Sequence, residues 1–117
     1  MAWGTVELEP EVDRWIDDLS DDEWAQALFH LDLLEERGIG LDFPYTSQLA
    51  GKLRELRFYC GGQRVRITYF ITGERRIIML TVFRKTRRRE QAEVERAKRA
   101  MQACIDAGHT ADDEEES

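Results

Sequence analysis

Proline, cysteine and histidine are scarce in this chain of 117 residues, which has two of each. The two cysteines, Cys60 and Cys104, form no CxxC motif, so we expect reduced, structural thiols instead of a disulfide framework or a zinc site. No stretch approaches about 18 consecutive apolar residues, which excludes a transmembrane helix. The N-terminus lacks a basic segment followed by an apolar one, so we expect no secretory signal and a cytoplasmic location.

Charge, by contrast, is abundant, and its sign changes along the chain. Residues 1–51 carry thirteen acidic and two basic residues, residues 52–99 carry five and fifteen, and residues 100–117 carry six and none. The corresponding net charges are −11, +10 and −6. The acidic total argues against a polyanionic partner, yet residues 52–99, here called the basic block, have the charge of a phosphate-binding surface. Function therefore depends on where the arginines of this block lie in the fold.

The first part of the chain is predicted to form a strand and a helical hairpin. A strand over residues 3–8 precedes Pro10, which suits the first position of a helix. Apolar residues then recur at helical spacing. A second helix begins after a capping box at Ser20 and ends at Gly38, and a loop follows over residues 38–51.

After this loop the apolar period changes from about 3.6 residues to about 2, which indicates strands. Three strands are predicted, at residues 53–60, 63–71 and 75–83. A two-residue Gly-Gly turn joins the first pair, and a short glycine-containing turn at residues 72–74 joins the second. Helical periodicity returns from about residue 88 and ends at Gly108.

Together these elements predict an α+β fold. An N-terminal strand and a helical hairpin pack on an antiparallel β-meander, and a C-terminal helix follows. We predict one domain over residues 1–107, since this length can bury a modest core. Residues 108–117 are predicted to be an acidic, disordered tail.

The Gly61-Gly62 turn predicts the pairing of the first two meander strands. Cys60 then faces Gln63, and every earlier pair keeps the same offset. Arg57 faces Arg66 on one side of the sheet, and the same side carries two further pairs, Tyr59 with Arg64 and Glu55 with Thr68.

The pairing of the second and third strands depends on where their turn is centred. A centre at residues 73–74 places Arg66 beside Thr81 and Arg64 beside Phe83. The opposite, core-facing side then includes Tyr69, Ile78, Leu80 and Val82.

Like charges directly opposite each other destabilise a sheet, so the pair of Arg57 and Arg66 needs compensation. Glu55, an outward splay of the two side chains or a ligand phosphate could supply it. The basic face is therefore either solvated or a polyanion site. Residues 84–89 continue the charge to the start of the last helix, where cations oppose the helix dipole. This segment is either a solubilising charge run or an anion site.

Three short motifs resemble those of the RelE/ParE toxin superfamily in their order and spacing. They are LRELRF at residues 53–58, RITYF at residues 66–70 and LTVFRKT at residues 80–86. The branch that the chain resembles most is the HigB-like, phage-derived group. The resemblance spans residues 3–105 and implies a RelE-like fold.

The resemblance implies the toxin of a type II toxin–antitoxin system, with a helix-turn-helix protein as the cognate antitoxin. HigB-like and RelE-like relatives cleave mRNA in the ribosomal A site by activating a ribose 2′-OH against the adjacent phosphate. Such chemistry needs a proton acceptor, a proton donor for the leaving oxygen and cations around the phosphorane. The implied partners are mRNA, the ribosome and the antitoxin, with no metal, no small-molecule cofactor and no membrane.

The resemblance also implies roles for individual residues. Arg57 and Arg66 would hold the scissile phosphate, and Lys85 is the third candidate catalytic residue. The candidate RNA-binding residues are Lys52, Arg54, Tyr59, Arg64, Phe83, Arg84, Arg87 and Arg88. Tyr59 or Phe83 would stack on a base.

No residue of the sequence stands out as the general base. Relatives often have a histidine where this chain has Thr81, and some place a catalytic Tyr or His near the C-terminus. Here His109 lies at the start of the acidic tail, and His30 on the second helix is interpreted as structural. Lys52 or Lys85 could serve if its pKa were depressed by the neighbouring arginines.

Two alternatives therefore stay open beside the endoribonuclease. The missing base favours a non-catalytic ParE-like toxin, or a degenerate one, that acts by binding gyrase or RNA. A structural or phage accessory protein is the third class.

Overall fold

The computed structural model describes residues 2–86 and 90–108. In chain order its elements are β1 (Thr5–Leu8), α1 (Pro10–Asp17), α2 (Asp21–Arg37), a 3₁₀ turn (Gly38–Gly40), β2 (Thr46–Ala50), β3 (Leu53–Cys60), β4 (Gln63–Ile71), β5 (Arg76–Arg84) and α3 (Gln91–Asp106). This arrangement confirms the predicted α+β class. The predicted acidic tail lies outside the described residues from residue 109 onward. None of the described helices is long and apolar enough to cross a membrane.

The strands form one mixed sheet in the order β1-β5-β4-β3-β2. β3, β4 and β5 form the predicted antiparallel meander, while β1 lies parallel to β5 at one edge. β2 lies at the other edge, within residues 38–51, where a loop was predicted. That part of the prediction was wrong for residues 46–50. Their segment, TSQLA, has no apolar alternation, and it becomes a strand because β3 offers it an unpaired edge.

Helices cover the sheet on both faces. α1 and α2 cover one face, whose core includes Leu56, Phe58, Ile67, Tyr69, Ile77 and Met79. α3 covers part of the other face, where Ala97 and Cys104 pack on Leu53, Phe70, Ile78 and Leu80. The two faces are here called the hairpin face and the α3 face.

The predicted pairing of β3 with β4 is confirmed, because Arg57 pairs with Arg66 and Cys60 with Gln63. The predicted pairing of β4 with β5 was wrong by two residues, since Arg66 pairs with Phe83 and Thr68 with Thr81. The connection over residues 72–75 shifts the register by one position. An irregularity after Thr68 shifts it by one more.

This shift also changes which residues of β5 face each core. Ile77 and Met79 belong to the hairpin-face core with Tyr69, whereas Ile78 and Leu80 belong to the α3-face core. The prediction that Ile78 and Leu80 share a core with Tyr69 was therefore wrong. Val82 keeps its predicted side, as do Thr81 and Phe83 on the arginine side, because the second shift restores the alternation.

The N-terminus of α2 is capped and bonded to the β3–β4 hairpin. The predicted capping box is present: Ser20 Oγ accepts from the N–H of Glu23, whose carboxylate accepts from the N–H of Ser20. One turn later, Gln26 Oε1 accepts a hydrogen bond of 2.9 Å from the backbone N–H of Gly61. The Cys60 thiol donates to the carbonyl of Glu23. These bonds place α2 above the turned end of the hairpin.

The packing of Trp3 against Gly38 can be tested by substitution. It is buried, has a φ of 51°, and a Cβ on it would lie 2.0 Å from the ring of Trp3. We expect Gly38→Ala to lower the free energy of unfolding by about 2 kcal/mol or more, measured by urea denaturation. Gly40→Ala is the matched control, since a Cβ there meets nothing within 4 Å. Equal stability of the two variants would contradict this account.

Candidate functional site

The candidate site lies on the part of the α3 face nearest the β3–β4 turn, beyond the apolar residues that α3 covers. Side chains alternate along a strand, so Arg57 and Arg66 point to this face and lie opposite each other. The next pair toward the turn is Tyr59 and Arg64, and both are exposed. These four residues are here called the arginine cluster.

Of the carboxylates in the part of the chain that the structure describes, that of Glu55 lies among the guanidinium groups. Oε2 of Glu55 is 3.8 Å from Nε of Arg57 and 3.8 Å from Nε of Arg66, and it accepts a hydrogen bond of 2.8 Å from Ser47. A separation of 3.8 Å is an ion pair but too long for a hydrogen bond. Nε of Arg57 is buried and has no hydrogen-bond partner among the described residues. Glu55 therefore leaves a donor unsatisfied and positive charge uncompensated.

Arg66 makes this imbalance costly, because only 5% of its surface is exposed. Burial lowers the pKa of its guanidinium group, Glu55 raises it, and the charges of Arg57 and Arg64 lower it further. The group stays protonated at neutral pH, since the ordinary pKa of arginine is so high. A buried charge destabilises the protein unless it is paired and hydrogen-bonded. Nη1 of Arg66 donates a hydrogen bond of 3.1 Å to the carbonyl of Val65. A bound phosphate would supply the missing negative charge and further acceptor atoms.

β5 forms the side of the site next to Arg66. Phe83 pairs with Arg66 and is 8% exposed, so little of its ring is available to a ligand. The hydroxyl groups of Thr68 and Thr81 are 2.6 Å apart and satisfy each other. Tyr59, which is 66% exposed, is thus the aromatic side chain of the cluster that a nucleobase could reach.

A cleft of about 440 Å³ connects the arginine cluster with the edge of the sheet. β2 ends its pairing at Leu56, so the rest of β3 is bordered only by the loop before β2. The cleft is lined by His30, Pro44, Tyr45, Arg57, Phe58, Tyr59, Arg64 and Arg66. Its volume falls in the range of roughly 300–1,000 Å³ that is typical of small-ligand sites.

The loop before β2 holds Arg57 in the wall of this cleft. The carbonyl oxygen of Tyr45 accepts a hydrogen bond of 2.7 Å from the backbone N–H of Arg57. The guanidinium carbon of Arg57 lies 5.1 Å from the centre of the Phe43 ring, a cation–π distance. The side chain is therefore positioned by an aromatic ring while its Nε stays without an acceptor.

His30, Pro44 and Tyr45 line the cleft but were not among the residues predicted for the site. Of these, His30 carries the titratable group nearest in kind to a general base. Its ring stacks on Phe58, with centroids 4.6 Å apart and planes 13° from parallel, and it lies 6.4 Å from the Tyr45 ring. Its Nδ1 is 2.8 Å from the carbonyl oxygen of Gln26, one helical turn earlier. His30 was interpreted as structural because it lies within a predicted helix. The sequence around it does not indicate that Arg57, Arg64 and Arg66 lie across the same cleft.

Arg54 and Arg84, both predicted to bind RNA, lie on the hairpin face, away from the arginine cluster. Arg54 donates to the hydroxyl of Thr46 and to that of Tyr69, and the pKa of Tyr69 is raised, mainly by burial. Arg84 pairs with Val65, a residue of the hairpin-face core. Arg84 was grouped with the other cations because the strand was predicted to end at Phe83, whereas β5 extends to Arg84.

The remaining predicted cations divide between the two ends of the strands. The backbone N–H of Lys85 bonds to the carbonyl of Arg64, which brings Lys85 to the end of the sheet that carries the cluster. Its Nζ lies 3.9 Å from Glu90. Lys52 lies in the exposed β2–β3 turn, five residues before Arg57 and roughly 16 Å away along the strand. Arg87 and Arg88 lie outside the described residues.

The described residues offer neither a metal-binding group nor a reactive thiol. Within residues 2–86 and 90–108, no group of three His, Cys, Asp or Glu side chains is arranged to hold a metal ion. Cys60 and Cys104 are buried. Burial raises the pKa of both thiols, that of Cys104 to about 12, so at neutral pH they are protonated and poor nucleophiles.

Comparison with known protein families places the chain. The model of the family described as "Phage derived protein Gp49-like (DUF891)" matches residues 14–102, which include every residue of the cleft. The chain belongs to this family. The Gp49-like proteins are a RelE-like, toxin-like family, in agreement with the superfamily that the three strand motifs resemble. No curated protein matches the chain.

The charge imbalance of this Gp49-like protein can be tested at Glu55. We expect Glu55→Gln to lower the free energy of unfolding by about 2 kcal/mol, because it removes the one carboxylate between two guanidinium groups. Sulfate should restore more of this loss than chloride at equal ionic strength, since it can occupy the cluster. Thermal denaturation in the two salts measures the difference.

Glu7→Gln is the matched control for this experiment. It also removes a carboxylate from an arginine, because Glu7 accepts hydrogen bonds of 2.6 and 2.9 Å from Arg76, which lies outside the arginine cluster. Sulfate should have no special effect on that variant. The same sulfate effect in both variants would show that the arginine cluster is not an anion site.

Proposed function

We propose that this protein is the toxin of a type II toxin–antitoxin system of the HigB-like branch. Its activity is that of a metal-independent, ribosome-dependent mRNA endoribonuclease that inhibits translation. One observation carries the proposal: two opposed arginines, one of them buried, share a single carboxylate in a cleft large enough for a nucleotide. Membership of a RelE-like family supports it independently.

The geometry of the cluster suits a phosphodiester in single-stranded RNA. Arg57 and Arg66 would contact the scissile phosphate from two neighbouring strands, and their charge would stabilise the extra negative charge of the phosphorane. Tyr59 would stack on an adjacent base, and Arg64 with Lys85 would contact flanking phosphates. In a duplex the bases are already stacked on one another, so an exposed tyrosine favours a single strand.

The proposed partners follow from the same chemistry. mRNA would be presented by the ribosome, and the cognate antitoxin would be a helix-turn-helix protein that covers the basic cleft or packs against the helices. In either mode of binding, the antitoxin would have to prevent RNA from contacting the arginine cluster.

The experiment that tests this function compares the wild-type protein with Arg57→Gln and Arg66→Gln during induced expression in bacteria. We expect wild-type induction to inhibit growth and to produce mRNA ends phased with codons. Both variants should lose growth inhibition and the phased ends, because removing one transition-state contact typically lowers the rate by about 10²–10³. Sequencing of 5′ ends provides the measurement.

Arg99→Gln on the exposed side of α3 is the matched control for the loss of one positive charge, and it should behave as wild type. Circular dichroism verifies that the two cluster variants are folded. Full toxicity of both cluster variants would overturn the site assignment. If induction causes DNA damage and leaves mRNA intact, the protein is a gyrase-directed toxin and not a nuclease. If induction has no effect on growth, the proposal that the protein is a toxin is wrong.

A further inference from the structure

We propose that His30 is the proton acceptor of the cleavage reaction, with Nε2 receiving the proton of the ribose 2′-OH. The inference rests on the proposed endoribonuclease function and supplies the general base that the sequence does not reveal. It is carried by the juxtaposition of His30 with Arg57, Arg64 and Arg66 around one cleft.

The position of His30 is set by tertiary contacts. α2 is bonded to the turn of the β3–β4 hairpin through the Gln26 side chain, and His30 follows one helical turn later. At that position its ring reaches the exposed edge of β3 and stacks on Phe58, the residue next to Arg57. Because Phe58 and Arg57 point to opposite faces, His30 and the arginines approach the cleft from its two sides.

The orientation of the ring suits a proton acceptor. The contact of 2.8 Å between Nδ1 and the carbonyl of Gln26 requires a proton on Nδ1, because a carbonyl oxygen only accepts. The neutral ring then has its lone pair on Nε2, the nitrogen opposite that contact. Stacking on Phe58 and an edge contact with Phe29, at 5.1 Å, hold the ring plane. Within the described residues Nε2 has no hydrogen-bond partner.

The other candidate bases are less well placed. Lys52 lies in the β2–β3 turn, away from the cleft, and Nζ of Lys85 forms an ion pair with the carboxylate of Glu90. Glu55 accepts from Ser47 and balances two guanidinium groups, so taking a proton would leave those charges without a counter-charge.

The reaction balances with His30 in this role. Nε2 takes the proton of the 2′-OH while the 2′-oxygen forms a bond to phosphorus. The bond from phosphorus to the 5′-oxygen breaks, and this oxygen takes a proton from water. The products are a 2′,3′-cyclic phosphate and a 5′-hydroxyl, and the imidazolium returns its proton to water. Arg57 and Arg66 would hold the charge of the phosphorane throughout.

The decisive variant is His30→Phe, which keeps an aromatic ring to stack on Phe58 but has no nitrogen. Cleavage is measured on ribosomes programmed with a defined mRNA, and binding is measured separately with a single-stranded RNA carrying a 2′-deoxy sugar. We expect cleavage to fall about 100-fold or more, within the usual contribution of a general base. Affinity for the uncleavable RNA should stay within about threefold of wild type.

Chemical rescue separates a base from a merely structural side chain. Imidazole in the buffer should restore part of the activity of His30→Ala, whereas guanidinium should not. The converse should hold for Arg57→Ala, which guanidinium should rescue and imidazole should not. A variant should be rescued by the small molecule that resembles its lost side chain, and not by the other one, only if that side chain acts in the reaction.

The outcomes distinguish this inference from the function on which it rests. If the wild-type protein cleaves no mRNA on the ribosome, the proposed function fails and His30 has no role as a base. If wild type cleaves and His30→Phe cleaves at a similar rate, the function stands and the inference is overturned. Loss of RNA binding in folded His30→Phe, or no rescue of His30→Ala by imidazole, would also overturn it.

Discussion

Gly61 and Gly62 have φ angles of 59° and 77°, the positive values that a two-residue hairpin turn needs. Such a turn permits only one pairing of β3 with β4, and that pairing sets Arg57 against Arg66 on the α3 face. A slip of one residue in one strand would move its arginine to the other face. The same turn also receives α2, because the N–H of Gly61 bonds to Gln26. Both sides of the cleft are therefore positioned by these two residues.

The electrostatics of the cleft follow from this pairing. A sheet with opposed arginines and one carboxylate is less stable than one with matched charges, and Glu55 relieves only part of the repulsion. α3 could have covered the whole face, yet it packs on the apolar end at Leu53 and Phe70. The polar end stays open to an anion. The opposed arginines lower the stability of the unliganded protein. Such destabilisation is typical of a site in which a bound ligand completes the charge balance.

Local rules predicted most of the fold and failed where long-range pairing decides. The bounds of β3 and β4 and the capping box of α2 were correct, since alternation, a Gly-Gly turn and the Ser20–Glu23 spacing act over a few residues. β2 was missed because its strand conformation depends on the free edge of β3. The register of β5 was wrong because the four-residue connection and the irregularity after Thr68 leave no clear pattern in the sequence. Arg84 was assigned to the charge run after the strand because β5 was predicted to end one residue too early.

The sequence by itself determined the hairpin, the opposition of Arg57 and Arg66 and the resemblance to RelE-like toxins. These depend on turn geometry, residue alternation and short motifs, all of which are local. Only the tertiary structure decided that α3 leaves the arginine cluster open, that Arg66 is buried and that His30 shares its cleft. Twenty-seven positions separate His30 from Arg57, so their proximity results from helix docking on the sheet, which the pattern of neither segment records.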